Sequence, residues 1–128
     1  SPMAQGILTG KYLPGKKPPA GSRATDKKSG ADMISRWMRD EVLTAVQNLA
    51  PIAKSVDLTM GQLAIAWVLQ NPNVSSAIMG ATKPAQVKEN VKAAGVKLPK
   101  EVMVAIDKAL GAIPTTDPTL TKSPNPRA

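Results

Sequence analysis

Residues 63–90 read LAIAWVLQNPNVSSAIMGATKPAQVKEN, and the fold turns on how this stretch is read. Its first seven residues are apolar without interruption. Just before them, Thr59-Met60-Gly61-Gln62 has the spacing of a capping box. In that motif the Thr hydroxyl accepts from the amide three residues on, and the Gln side chain reaches back. The pattern predicts a helix over 60–70, and a helix apolar on all sides must be covered on most of them. Asn71-Pro72-Asn73 ends it, because proline disfavours helix for the residue before it. Residues 74–79, VSSAIM, are short, uncharged and closed by Gly80, and we expect one clear strand there. Thr82-Lys83-Pro84 then opens a second helix with proline in its first turn. It runs to about Ala94, with Gly95 as its C-cap. Helix, strand, helix is a segment of an α/β protein with parallel strands. A lone strand leaves both backbone edges unpaired, so partner strands are expected elsewhere.

Working outward, residues 39–56 place Val42, Val46, Leu49, Ile52, Ala53 and Val56 at steps of three and four, an amphipathic helix. Pro51 lies inside it, and a mid-helix proline costs about 3 kcal/mol. The expectation is a kink near Pro51 or two shorter helices. Leu98-Pro99-Lys100-Glu101 opens a last helix, with Val102, Val104, Ile106, Ala109 and Leu110 apolar and Gly111 as its stop. Trp37 and Trp67 are expected on helices as packing residues. Residues 1–35 carry five glycines and four prolines, too much punctuation for a long element. A polar loop this long is functional or disordered; residues 1–9 could leave a strand end. Residues 112–128 are rich in proline and read as a flexible tail. The chain itself is therefore mostly α.

Composition narrows the chemistry. The 128 residues hold no His and no Cys, which excludes a Ser-His-Asp or Cys-His triad, a zinc finger and a disulfide framework within them. Lys+Arg 17 against Asp+Glu 9 gives a net charge of +8. The excess is spread along the chain, and only Tyr12 lies near the basic loop, so base-stacking platforms are lacking. We expect no nucleic-acid partner. Residues 58–82 carry no charge, but Gln62, Gln70, Asn71, Pro72 and Asn73 interrupt them. A span needs about 20 consecutive apolar residues, so no membrane partner is expected. No export signal is visible, and the location expected is cytoplasmic. The chain opens Ser1-Pro2-Met3, which reads as processed or as a piece of something longer.

The turn from Met79 to Asn90 is the most informative site candidate. Gly80 followed by Thr82 and Lys83 at a helix start makes an anion site, since the first helical amides have no internal partners. Gln86, Glu89 and Asn90 share one helical face and offer donors and acceptors to an adenine or a ribose. The same pattern also fits an ordinary strand–helix turn with a solvated polar face. A P-loop reading of residues 1–12 fails on spacing: Gly6 and Gly10 enclose three residues rather than four, and Tyr12 follows Lys11. No GxGxxG occurs.

Together these pieces resemble the C-terminal part of an aldo-keto reductase, in the branch that includes potassium-channel beta subunits and bacterial relatives. SPMAQGILTGKY at 1–12 is similar to that branch's loop after the seventh barrel strand, S-P-L-A-x-G-x-L-T-G-K-Y. Pro19-Ala20-Gly21-Ser22-Arg23 resembles the stretch that follows. LAIAWVL at 63–69 resembles the eighth-helix run, and residues 74–90 the last strand and cofactor helix. The resemblance covers about residues 1–111: a cofactor loop over 1–35, then helices and the last strand over 36–111, before the tail at 112–128.

It implies α/β architecture, the C-terminal segment of a (β/α)8 TIM barrel. The implied function is an oxidoreductase that uses NADP(H) on a small carbonyl substrate, an aldehyde or ketone. By resemblance, Ser1, Pro2, Met3, Ala4, Gln5 and Gly6 line the pyrophosphate side, and Lys11 and Arg23 add charge around the phosphates. Gly80, Thr82, Lys83 and Gln86 meet the 2′-phosphate and adenosine end, with Glu89 and Asn90 on adenine. Met3 stands where Leu is common, and Gly21 where some members carry an aromatic. The family's Asp, Tyr, Lys and His tetrad comes from earlier strands. Here there is no His, and Tyr12 matches the G-K-Y position, so no catalytic residue is assigned. Such a barrel usually takes about 250 residues. The chain is read as a fragment lacking the N-terminal barrel half, inactive alone. Two other readings stand beside it: a non-enzymatic nucleotide-sensing or interaction module, and a basic nucleic-acid-binding domain.

Overall fold

The computed structural model describes residues 1–28 and 30–115. Among these the backbone forms α1 (Gly30–Ile34), α2 (Asp40–Gln47), α3 (Ala50–Ser55), α4 (Met60–Leu69), α5 (Pro84–Asn90) and α6 (Lys100–Leu110). Short 3-10 turns lie at Ala4–Thr9, Arg23–Thr25, Ser35–Trp37 and Val91–Ala93. The expected long helix over 39–56 divides into α2 and α3. Pro51 explains where: its ring would collide with the carbonyl of Gln47, four residues back, and α2 ends at Gln47. In α3 Pro51 sits in the first turn, where a missing amide costs nothing.

The capping box forms as expected. Gln62 N donates to Thr59 Oγ1 at 3.2 Å, and Thr59 N donates to Gln62 Oε1 at 3.0 Å. The helix it opens buries Gln62, Leu63, Ile65 and Ala66. Its cover is incomplete, because Trp67 remains 40% exposed. Gly111 caps α6 with positive φ as expected, but α5 stops at Asn90 rather than near Ala94, and a 3-10 turn, Val91–Ala93, separates it from Gly95.

Two expectations are corrected. No strand occurs among the described residues, so residues 74–79 are not one. Val74 N folds back to Asn71 O, and Ile78 is 88% exposed. A strand needs a ladder with at least one neighbour, and no described segment pairs with this one. Residues 1–9 are not a strand end either: Ala4–Thr9 is 3-10, with Ala4, Gln5 and Gly6 in left-handed conformation. The tail expectation falls mostly on residues 116–128, which lie outside the described residues.

Two apolar clusters hold the molecule. Leu49, Ala53, Leu63, Ala66, Leu98, Val102 and Ile106 join α3, α4 and α6. Ile7, Tyr12, Ile34, Leu43 and Val46 join the N-terminal loop to α1 and α2, with Trp37 packed on them. Leu8 and Met60 touch both clusters, so the loop is seated on the start of α4. No single helix among the described residues is long and apolar enough to cross a membrane. The pair Asp40–Ser55 and Met60–Leu69 passes by length and composition but bends by 85°.

Gln70 closes the far end of α4. Its Nε2 donates to Ala66 O and Val96 O, and its Oε1 accepts from Leu98 N. Gln70→Leu leaves Val96 O and Leu98 N without that partner. We expect it to cost about 1–3 kcal/mol in urea unfolding; an unchanged midpoint would contradict the role assigned to these bonds.

Candidate cofactor cleft

The N-terminal loop is positioned by side chains from α2. Gln47 Nε2 donates to Gly10 O and Tyr12 O, both at 3.0 Å, and Asp40 Oδ1 accepts from Gly15 N. Within the loop, Gln5 N donates to Ser1 Oγ at 3.0 Å and Thr9 Oγ1 to Gly6 O at 2.7 Å. Left-handed backbone at Ala4 and Gln5 is strained for residues with a Cβ; these local bonds and the seated Ile7 offset it. Arg23 Nη1 donates to Gln5 Oε1, and also approaches Met33 Sδ at 3.9 Å. The Lys11 ammonium lies 5.2 Å from the Tyr12 ring centroid. A Cβ on Gly6 would come within 3.5 Å of it. The loop thus gathers Ser1–Gly6, Lys11 and Arg23 into one charged neighbourhood. Tyr12, at 1% exposure, is a core residue.

A cleft of about 530 Å³ opens between this loop, the start of α4 and α5. It is lined by Met3, Thr9, Thr59, Met60, Gly61, Gly80, Ala85, Gln86, Glu89 and Asn90. Five of the residues picked from sequence, Met3, Gly80, Gln86, Glu89 and Asn90, meet here although Met3 is far from the rest in the chain. Gly61 makes the approach possible: a Cβ there would meet Met3 Sδ at 3.2 Å. The volume suits a small molecule or part of a dinucleotide.

The helix-start amides are not free. Gln86 Oε1 accepts from Thr82 N at 2.8 Å, Thr82 Oγ1 at 3.2 Å and Lys83 N at 3.1 Å. An anion reaching those amides must displace the Gln86 carbonyl. Thr82 and Lys83 are exposed beside the cleft rather than in its lining. Glu89 is held on two sides: Gln62 Nε2 donates to its O and its Oε1, both at 3.0 Å, and Lys92 Nζ pairs with Oε2 at 3.3 Å. Sequence reading missed Gln62, Thr59, Gly61, Met60, Thr9 and Ala85. The capping box pointed at Thr59 and Gln62 only as a helix start, whereas Thr59 lines the cleft and Gln62 holds Glu89 from behind it.

A separate groove of about 880 Å³ runs along the apolar faces of α2, α4 and α6. Ser1, Pro2 and Ala4 edge it, and Val42, Leu63, Ala64, Trp67, Val68 and Ile106 are among its lining. No group of three acidic, His or Cys side chains that could hold a metal occurs among the described residues.

The chain belongs to the aldo/keto reductase family, whose model matches residues 1–110. A protein of Arabidopsis thaliana named "Probable voltage-gated potassium channel subunit beta" is 44% identical over 108 residues, 84% of this chain and 32% of that protein. A protein of Oryza sativa subsp. japonica with the same name is 41% identical over 123 residues, 96% of this chain and 36% of its own. A Schizosaccharomyces pombe protein, also named as such a beta subunit, is 43% identical over 117 residues, 89% of this chain and 33% of its own. The chain therefore spans about a third of the length of these relatives.

Gly30 carries a sharp steric constraint beneath Arg23. A Cβ there would lie 2.6 Å from Arg23 O and 2.9 Å from Asp26 Cβ. Gly30 N also donates to Asp26 Oδ2 at 3.2 Å. Gly30→Ala should push the Arg23 turn outward and cost about 1–3 kcal/mol, read as a lowered denaturation midpoint. A midpoint equal to the natural one would show that the turn yields freely.

Proposed function

We infer that this chain is the C-terminal part of the (β/α)8 barrel of an NADP(H)-dependent oxidoreductase acting on aldehydes or ketones. Residues 1–111 contribute barrel helices and much of the cofactor site. The observation that carries this reading is the cleft where Met3 of the loop meets Gly80, Gln86, Glu89 and Asn90. The donor set fits a dinucleotide. Glu89 is acceptor-only as a carboxylate, and Asn90 offers both donor and acceptor to a purine. Glycines at 61 and 80 keep side chains out of the lining, Lys83 is exposed beside it, and Lys11 and Arg23 sit on the Gly6 and Gln5 parts of the loop. The bound nicotinamide cofactor would supply a hydride. Of the sequence-derived set, Ser1, Pro2, Met3, Ala4, Gln5, Gly6, Lys11 and Arg23 would hold the pyrophosphate side. Gly80, Thr82, Lys83 and Gln86 would hold the 2′-phosphate side, with Glu89 and Asn90 on adenine. Gln86 would turn away from the Thr82 and Lys83 amides as an anion takes its place.

The groove on α2, α4 and α6 supports the barrel reading. An apolar groove with Trp67 at its wall fits the inner side of a helical shell, and residues 74–79 hold the β-formers Val74 and Ile78 without a ladder. Barrel strands from the N-terminal half would cover the one and pair with the other. The acid–base groups of the reaction belong to that half. A second reading, a nucleotide-sensing subunit that docks on a membrane channel, is favoured by the names of the relatives and uses the same cleft.

NADPH titration of the whole natural protein tests the cofactor reading. Arg23→Ala and Lys83→Ala should each weaken binding about three- to tenfold, less than a buried contact would because both cations are exposed. Unchanged affinity in both variants would sink it.

A further inference from the structure

We propose that Gln62 is a positioning residue for adenine recognition, holding the Glu89 carboxylate at the cleft from the neighbouring helix. The inference rests on the cofactor reading above and extends it to a residue behind the cleft wall. Gln62 is 5% exposed, and the side chain is fully employed. Its Oε1 accepts from Thr59 N. Its Nε2 donates to both the carbonyl oxygen and the Oε1 of Glu89. A primary amide has two hydrogens to give, and here both go to one residue. One buried group thus fixes the last turn of α5 and the direction of its carboxylate together.

Lys92 holds the other carboxylate oxygen, but its side chain is 66% exposed. Solvent screens such a pair and leaves it weak, so the buried amide is the firmer hold. A Glu side chain that is already oriented loses less freedom when a ligand arrives. The adenine 6-amino group donates, and a carboxylate can only accept. Hypoxanthine carries a carbonyl oxygen at that position, which repels the carboxylate. The orientation of Glu89 is therefore read out as discrimination between the two purines.

The test is fluorescence titration of NADPH and of its hypoxanthine analogue into the whole natural protein and into three variants. The natural protein should prefer NADPH by about fivefold or more, as expected for a partly exposed bond to a charged group. Gln62→Leu and Gln62→Met, two shapes so that one folded variant suffices, should both bring the ratio to near unity. Gln70→Leu loosens the far end of the same helix and should keep the natural ratio. A natural ratio in a folded Gln62 variant overturns the inference and leaves the cofactor reading standing. Loss of the ratio in Gln70→Leu also overturns it, by assigning the effect to helix loosening. A natural protein that binds NADPH without preference overturns the inference alone. One that binds no NADPH overturns the cofactor reading, and the inference with it.

Discussion

One buried amide side chain ties the cleft together. Gln62 completes the cap of α4 on one side and grips Glu89 on the other. A buried amide left unpaired is costly, so α4 and α5 must stay in the register that satisfies it. That register sets Glu89 and Asn90 opposite Thr59 and Gly61 across the cleft. The N-terminal loop then closes the third side, because Gly61 admits Met3 and Leu8 and Met60 share the two cores. Remove the amide and α5 loses its buried hydrogen-bonded tie to α4, while the loop keeps its apolar seat on Met60.

A second constraint works by what stays unpaired. The helices bury their mutual faces but leave a groove of about 880 Å³ bordered by Trp67. Residues 74–79 carry Val74 and Ile78 into no ladder. Apolar surface of this kind is costly in water, and open backbone is a template for pairing with further strands. The relatives this chain matches are about three times as long.

Much of the helical layout was legible in the sequence, for identifiable reasons. Thr59-Met60-Gly61-Gln62 is a local hydrogen-bond program, and it formed as read. Pro51 had to end one helix and start another, because its ring conflicts with a carbonyl four residues back. Gly111 took the positive φ that stops α6. The strand over 74–79 failed for the opposite reason: β structure is a relation between segments, and side-chain pattern alone cannot provide the partner. The same limit hid Gln62. Its spacing announced a cap, while its two bonds to Glu89 cross from one helix to another.

The sequence by itself determined the start of α4, the break at Pro51 and the stop at Gly111, which residues are apolar, which chemistry is absent without His and Cys, and the motifs that carry the family resemblance. These are properties of neighbours along the chain, written in side-chain and backbone preferences. Only the tertiary structure decided that Met3 meets Gly61 and that Gln86 occupies the amides of Thr82 and Lys83. Only it showed that Glu89 is held from α4. Those relations depend on packing that brings distant segments within a few ångströms, and no local preference encodes that distance.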